Sequence, residues 1–399
     1  MTKDDAVKGI LPLVFGITFL GFIDTHMTVP IMRLYADSLG AGVAVAGFII
    51  GMYSIVNTPA NVVFGPVVDR FGRKIPLLLG LGGDAVCMFL YTLCSTPQQL
   101  FIVRGFHGLS GAVLGLATAA IVADYSPVEK RGRGMGFYAI AMGLAPLVGM
   151  GLCGLIMRDP AGFNTVFYTG SALVVVGAVL ALLLPRSEAK GKVESLDFKR
   201  IGVIAAKKPN IASYAAIFSQ WFMMGVIIVL LPKYMEGLGM TASHVAMVMV
   251  ATIAACIAVN YPVGLWVDRV GRKVPAVIGL ALLVISINLI PEVRGLGQLV
   301  GLGILQGVGM GCILPPVLAL ISDNTGKGER GTAMGILQAL ITLGVAVGAP
   351  LSGVLAREVG SSLAIHLCTL VPAAAMIAVL VLVEAGLPQR EATVGGESG

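Results

Sequence analysis

A ten-residue stretch, Gly65–Lys74 (GPVVDRFGRK), returns 199 residues later as Gly264–Lys273 (GLWVDRVGRK). Each copy sits in a short basic gap between long apolar runs. The same register pairs Tyr35 with Tyr234, Leu39-Gly40 with Leu238-Gly239, Asp124 with Asp323, Arg131 with Arg330, Gly132 with Gly331 and Met135-Gly136 with Met334-Gly335. A single register kept over that distance marks a chain made of two copies of a unit of roughly 200 residues. The two copies point the same way across a bilayer, an arrangement that recurs in transporters.

The chain between the motifs is apolar enough for this. Crossing the hydrocarbon core takes about 20 apolar residues. Twelve such runs are present, at about 10–32, 43–64, 75–95, 98–122, 134–157 and 163–184, then 211–231, 243–266, 275–291, 296–321, 331–356 and 362–384. Charged residues are 12% of the chain, too few to cover soluble domains, which are usually about one quarter charged. The first run lacks a small-residue cleavage site and reads as a retained helix. The formal charge of +6 reads as loop charge and not as a nucleic-acid surface. With the N-terminus inside, 21 of the 27 Lys and Arg fall on inside segments, five fall outside, and Arg104 lies within a span. Both termini are therefore expected in the cytoplasm. Six cysteines lie in apolar runs without a CxxC pair and read as packing residues.

The domains expected are a six-helix bundle at 1–184, a cytoplasmic linker at 185–210, a second six-helix bundle at 211–388 and a disordered tail at 389–399. The linker holds either a short amphipathic helix around Leu196–Ile204 or a flexible tether.

These residues carry a resemblance. The doubled GxxxDRxGRK loop, the fourth run RGFHGLSGAVLG (Arg104–Gly115) and the fifth run GLAPLVGMGLCG (Gly143–Gly154) resemble motifs of the major facilitator superfamily. The fifth-run motif resembles that of the drug–proton antiporter branch, departing from it at Ala145, and a similar GVAVGAPLSG (Gly344–Gly353) lies in the eleventh run. The resemblance implies an all-α membrane protein of twelve helices in two six-helix bundles, with spans one and four together beside a central cavity. In the loop motif, Gly65 and Gly72 suit close approach and a tight turn. Asp69 could face a helix N-terminus of the other half, and Arg73 could pair with Asp124, with Arg70 in the same motif. The duplicate set is Gly264, Asp268, Arg269, Gly271, Arg272 and Asp323. Together these residues either latch the cytoplasmic side or anchor loops at the headgroups.

Features present in one half only are candidates for specific chemistry. Asp24 aligns with Met223, Asp84 with Leu283, Arg104 with Gly303 and His107 with Gln306. Charge within a span is costly without a partner and is a functional hypothesis by default. At 1.5 Å per residue, Asp24 lies roughly 12 Å and Arg104 roughly 9 Å from the outer surface, so the two can interact, with His26 and His107 nearby. A carboxylate balanced between burial and a neighbouring cation can load and release a proton. The proton-coupling set expected is Asp24, Arg104, Asp84 and His107, although Asp84 could equally fill a packing role at the periphery. The substrate set expected is Asp24, His26, Arg104, Trp221, Gln306 and Gln338, with Met223 and Met224 as an adaptable apolar wall.

The reading is a secondary active transporter working by alternating access, exporting a small amphipathic compound in exchange for protons. The alternative is proton-coupled uptake of a small metabolite such as an organic anion. A membrane enzyme or sensor is remote, because no HExxH, GxSxG, P-loop or Cys/His cluster is present. The partners expected are a small-molecule substrate, protons and the lipid bilayer of a bacterial-type inner membrane. No cofactor, metal or nucleic acid is expected, and the chain is expected to be a monomer.

Overall fold

A computed structural model describes residues 3–125, 131–157, 162–185, 198–326 and 329–384. The tail expected at 389–399 and residues 186–197 of the linker lie outside the described residues. With no water to satisfy backbone amides, a spanning chain of this composition must be helical. The described residues contain no strand. The first six spans are Lys3–Thr28, Val43–Phe71, Lys74–Tyr91, Pro97–Tyr125, Arg131–Ile156 and Gly162–Leu182. Spans seven to eleven are Lys208–Gly237, Ala242–Val270, Lys273–Asn288, Leu296–Asp323 and Arg330–Val359, and the twelfth is Ser361–Cys368 continued by Leu370–Leu382. They form two six-helix bundles.

Proline explains where the helices depart from the apolar runs. The first run continues to 32, but its helix stops at Thr28, two residues before Pro30, and a separate short helix, Met32–Ser38, follows. Pro372 lacks the N–H that would bond back across Thr369, and the twelfth span breaks there. The loop motifs are half helical: spans two and eight run on to Phe71 and Val270 and end at Gly72 (φ 78°) and Gly271 (φ 87°). Both glycines hold a left-handed backbone that other residues rarely adopt. In the linker, Phe198–Ala205 forms a short helix.

The duplication is visible at the level of single bonds. Tyr35 donates its hydroxyl to the carbonyls of Tyr91 and Cys94, and Tyr234 donates to those of Pro291 and Val293. Arg73 Nε lies 3.2 Å from Asp124 Oδ2, and Arg272 Nε lies 3.1 Å from Asp323 Oδ2. Both ion pairs stay within their own half, tying the loop after an even span to the end of the next even span. Asp268 and Arg269 are exposed beside the second pair. The side chains of Gly65, Asp69 and Arg70 lie outside the described set.

The halves meet on the face opposite the loop motifs. A Cβ on Gly47 (span two) would fall 2.6 Å from the Ala349 carbonyl and 3.2 Å from Gly353 Cα (span eleven). The symmetry-related contact joins spans five and eight, where a Cβ on Gly154 would fall 2.9 Å from that of Ala246. Small residues at these positions allow helix backbones to approach closely in lipid. An ion network closes the same face across the halves. Arg33 Nη2 lies 2.9 Å from Asp37 Oδ1, Lys233 Nζ lies 3.5 Å from Asp37 Oδ2, and Glu236 Oε2 lies 2.7 Å from Lys233. Burial pushes the Asp37 carboxyl above its ordinary range, and Arg33 and Lys233 oppose that shift.

Candidate functional site

Span four places Arg104, His107 and Ser110 at three-residue intervals, so all three share one helix face. That face meets span one at Asp24 and span three at Asp84 and Tyr91. Close approach depends on Gly108: a Cβ there would collide with the Tyr53 carbonyl of span two, and Asn57 donates to the Gly108 carbonyl at 3.0 Å.

Asp24, Asp84 and His107 form one cluster sealed from solvent, with relative exposures of 0%, 1% and 0%. His107 Nε2 lies 3.1 Å from Asp24 Oδ2 and 3.8 Å from Asp84 Oδ1. The Asp84 carboxylate also accepts a hydrogen bond from the Ser110 hydroxyl, and Asp24 Oδ1 accepts from the Thr25 amide. On its other nitrogen His107 meets Tyr91 Oη at 2.8 Å, and Arg104 Nη1 reaches the same hydroxyl at 3.4 Å and Thr28 Oγ1 at 3.5 Å. Arg104 can only donate. Tyr91 therefore accepts from Arg104 and has its own hydroxyl proton free for His107 Nδ1; in the tautomer that uses it, a neutral imidazole carries its proton on Nε2, pointing at Asp24. The result is a hydrogen-bonded chain from Arg104 through Tyr91 and His107 to Asp24, with Asp84 beside it at 3.8 Å from the same imidazole nitrogen.

The direct Asp24–Arg104 contact expected from depth is not formed. Asp24 turns to His107, and Tyr91 and His107 fill the space between it and the guanidinium, whose central carbon sits 5.1 Å over the Tyr53 ring. Asp84 does not pack at the periphery; it faces the bundle interior. The donor atoms of Asp24, Asp84 and His107 all lie within 4.8 Å of one another, so the cluster can hold a shared proton or a small cation. The hydrogen-bond distance between Asp24 and His107 suits the proton.

A cavity of about 500 Å³ lies between the halves. Its wall runs from Val29, Ile50 and Ile228, near the closed face, to Asn61, Ala119 and Tyr138, toward the loop motifs. Of the substrate set expected from the sequence, His26, Arg104, Trp221 and Gln338 line this wall. His26 Nδ1 is held by the Phe22 carbonyl at 2.7 Å. Asp24 and Gln306 do not reach the wall: Asp24 is turned into the bundle, and Gln306 is buried at 4% exposure. Of the expected methionine pair, Met224 lines the cavity and Met223 is fully buried. Asn288 is structural, joining span nine to Thr369 and His366 of span twelve. Tyr53, Tyr91 and Ser110 had no place in the sequence-based site. Their counterparts Thr252, Ile290 and Gly309 differ from them, so a comparison of the halves extended to uncharged polar residues would have found them.

Comparison with known proteins agrees with this architecture. The family profile described as Major Facilitator Superfamily matches residues 14–212 and again 213–398. A protein of Enterobacter lignolyticus called multidrug resistance protein MdtG is 27% identical over 357 residues, covering 84% of each chain. Multidrug resistance protein 1 of Bacillus subtilis is 25% identical over 189 residues, which is 46% of this chain and 48% of that protein. Among solved structures, the nucleoside transporter NupG superposes with a TM-score of 0.78 at 14% identity, covering 95% of this chain and all of that one (100%).

Proposed function

This chain belongs to the Major Facilitator Superfamily of membrane transporters, and on that premise we propose that it exports a small amphipathic compound in exchange for protons. The observation that carries the reading is the buried Asp24–His107–Asp84 cluster, linked through Tyr91 to Arg104 on the cavity wall. Full ionisation of both carboxylates sets two negative charges against the single positive charge of Arg104. One proton added to the cluster restores balance, which matters in a medium where net charge is costly. The second half supports a dedicated role: its equivalents are Met223, Leu283 and Gln306, so packing alone does not require ionisable groups at these positions. The multidrug names of relatives such as MdtG favour export of drug-like compounds.

In the cycle we propose, the described conformation faces the cytoplasm. The Lys and Arg bias puts the loop motifs on that side, and the Gly47–Gly353 and Gly154–Ala246 contacts seal the other. Proton loading from outside and release inside would accompany rocking of the halves, with the membrane a bacterial-type inner membrane. A second reading, uptake of an organic anion with protons, is favoured by the positive Arg104 on the wall.

The test uses purified protein in liposomes loaded with a pH-sensitive dye. Export by exchange predicts that adding substrate on one side drives protons to that same side. Movement of protons with the substrate would establish uptake instead, and substrate flux without proton flux would remove coupling altogether.

A further inference from the structure

We infer that the transported substrate is an amphipathic organic acid whose single carboxylate or sulfonate is held by Arg104. This rests on the transporter reading, since it takes the cavity between the halves as the substrate site, but it holds for either direction of transport.

Charge on the cavity wall is one-sided. Arg104 is the one Lys, Arg, Asp or Glu among the described lining residues. The carboxylates that could have neutralised it are turned away. Asp24 spends its oxygens on Thr25 and His107, and Asp84 is bonded to Ser110, behind His107. Arg104 is itself 96% buried by its 4% exposure, yet it has no carboxylate partner among the described residues. Its Nη1 makes two long bonds to hydroxyls and its Nε makes none. The guanidinium is therefore a buried cation at the edge of a cavity with no carboxylate against it, and a carboxylate or sulfonate is the acceptor its charge calls for. The same wall disfavours a lipophilic cation, which would meet a positive charge and no carboxylate. The rest of the surface sets the body of the ligand. Trp221, Phe22, Met142, Met150 and Met224 offer aromatic and adaptable thioether faces, which suit a flat apolar group.

The experiment measures equilibrium binding to the full chain in lipid nanodiscs at neutral pH. Three probes share one aromatic body and differ in charge: 1-naphthoate, 1-naphthalenemethanol and 1-naphthylmethylammonium. The expected result is that the carboxylate binds about tenfold or more tightly than either of the others, the scale of one charge-assisted pair. In Arg104→Gln the three should converge, while Arg104→Lys keeps part of the preference. Equal or tighter binding of the ammonium probe to the unmodified protein overturns the inference, as does failure of all three to bind at millimolar concentration. Because that order is read on the unmodified protein, the inference is decided even if Arg104→Gln fails to fold. Proton flux, measured separately in liposomes, tests the coupling reading alone. Loss of flux with the binding order intact leaves the substrate class standing, and intact flux with the wrong order removes it.

Discussion

At the residue scale the informative comparison is internal. The positions of Asp24, Asp84 and His107 are core positions in both halves, filled by Met223 and Leu283 at 0% exposure and Gln306 at 4% in the second. Replacing a buried ionic group by apolar residues of similar size is often neutral or stabilising by about 1–4 kcal/mol. The variant Asp24→Met/Asp84→Leu/Arg104→Gly/His107→Gln, which copies the second half into the first at all four ionisable positions and so leaves no buried charge behind, should therefore fold with a melting temperature close to or above that of the parent. It should also lose proton-driven accumulation completely, read as substrate uptake into inverted vesicles under an imposed pH gradient. A severe drop in melting temperature would assign the cluster to structure. The milder Asp24→Asn keeps the shape and should abolish gradient-driven accumulation while substrate-for-substrate exchange survives; intact accumulation in that variant would remove Asp24 from coupling. The ionisable members of this site were legible in the sequence, because charge within an apolar run stands out. Their pairing was not. Depth along two helices fixes height but not azimuth, so Asp24 and Arg104 looked like partners when Tyr91 and His107 in fact stand between them. Gln306 failed for the same reason: a polar residue on a cavity-forming span can face the neighbouring helix.

At the element scale the duplicated loop supplies its own control. The Arg73–Asp124 and Arg272–Asp323 pairs have the same geometry, with partly exposed side chains, so each stabilises by at most about 1 kcal/mol. Asp124→Asn and Asp323→Asn should lower the melting temperature by similar, small amounts. If the brace also positions its loop to latch the two halves, each variant introduced into Gly47→Val/Gly154→Val, which favours closure of the loop-motif face, should lengthen spin-label distances across that face, and unchanged distances would reduce both motifs to loop anchors. The elements themselves were readable from apolar run length alone. Their ends were not, because the ends are set by Pro30, Pro372 and the positive-φ glycines Gly72 and Gly271 more than by hydropathy. The Met32–Ser38 helix, which begins where the first apolar run ends, was not legible from hydropathy for that reason, and it is the element that presents Arg33 and Asp37 to the other half.

For the whole molecule, the question is which contacts hold the face opposite the loop motifs shut. Two kinds are present: the Asp37–Lys233 ion network and the glycine-mediated packing of span two on eleven and of five on eight. Lys233 is half exposed, at 49% of its side chain, which puts the ion pair near the lower range for such contacts, up to about 1 kcal/mol. A change of that size alters the ratio of two conformations by no more than about fivefold. Inverting a two-state equilibrium from about 1:99 to 99:1 needs roughly 5.5 kcal/mol. The ion network alone therefore cannot be the gate. Added bulk in a close helix contact commonly costs about 1–3 kcal/mol. At Gly47 the obstacle is the Ala349 carbonyl and the Gly353 backbone, which cannot rotate aside, and at Gly154 it is Ala246. Lys233→Ala should accordingly shift the conformational ratio by about fivefold at most. Gly47→Val should shift it further, and Gly47→Val/Gly154→Val should leave the opened form dominant. The measurement is the distance distribution between spin labels on the Met32–Ser38 helix and the start of span eight. A larger shift from Lys233→Ala than from Gly47→Val would show that charge, and not close helix packing, sets the resting conformation.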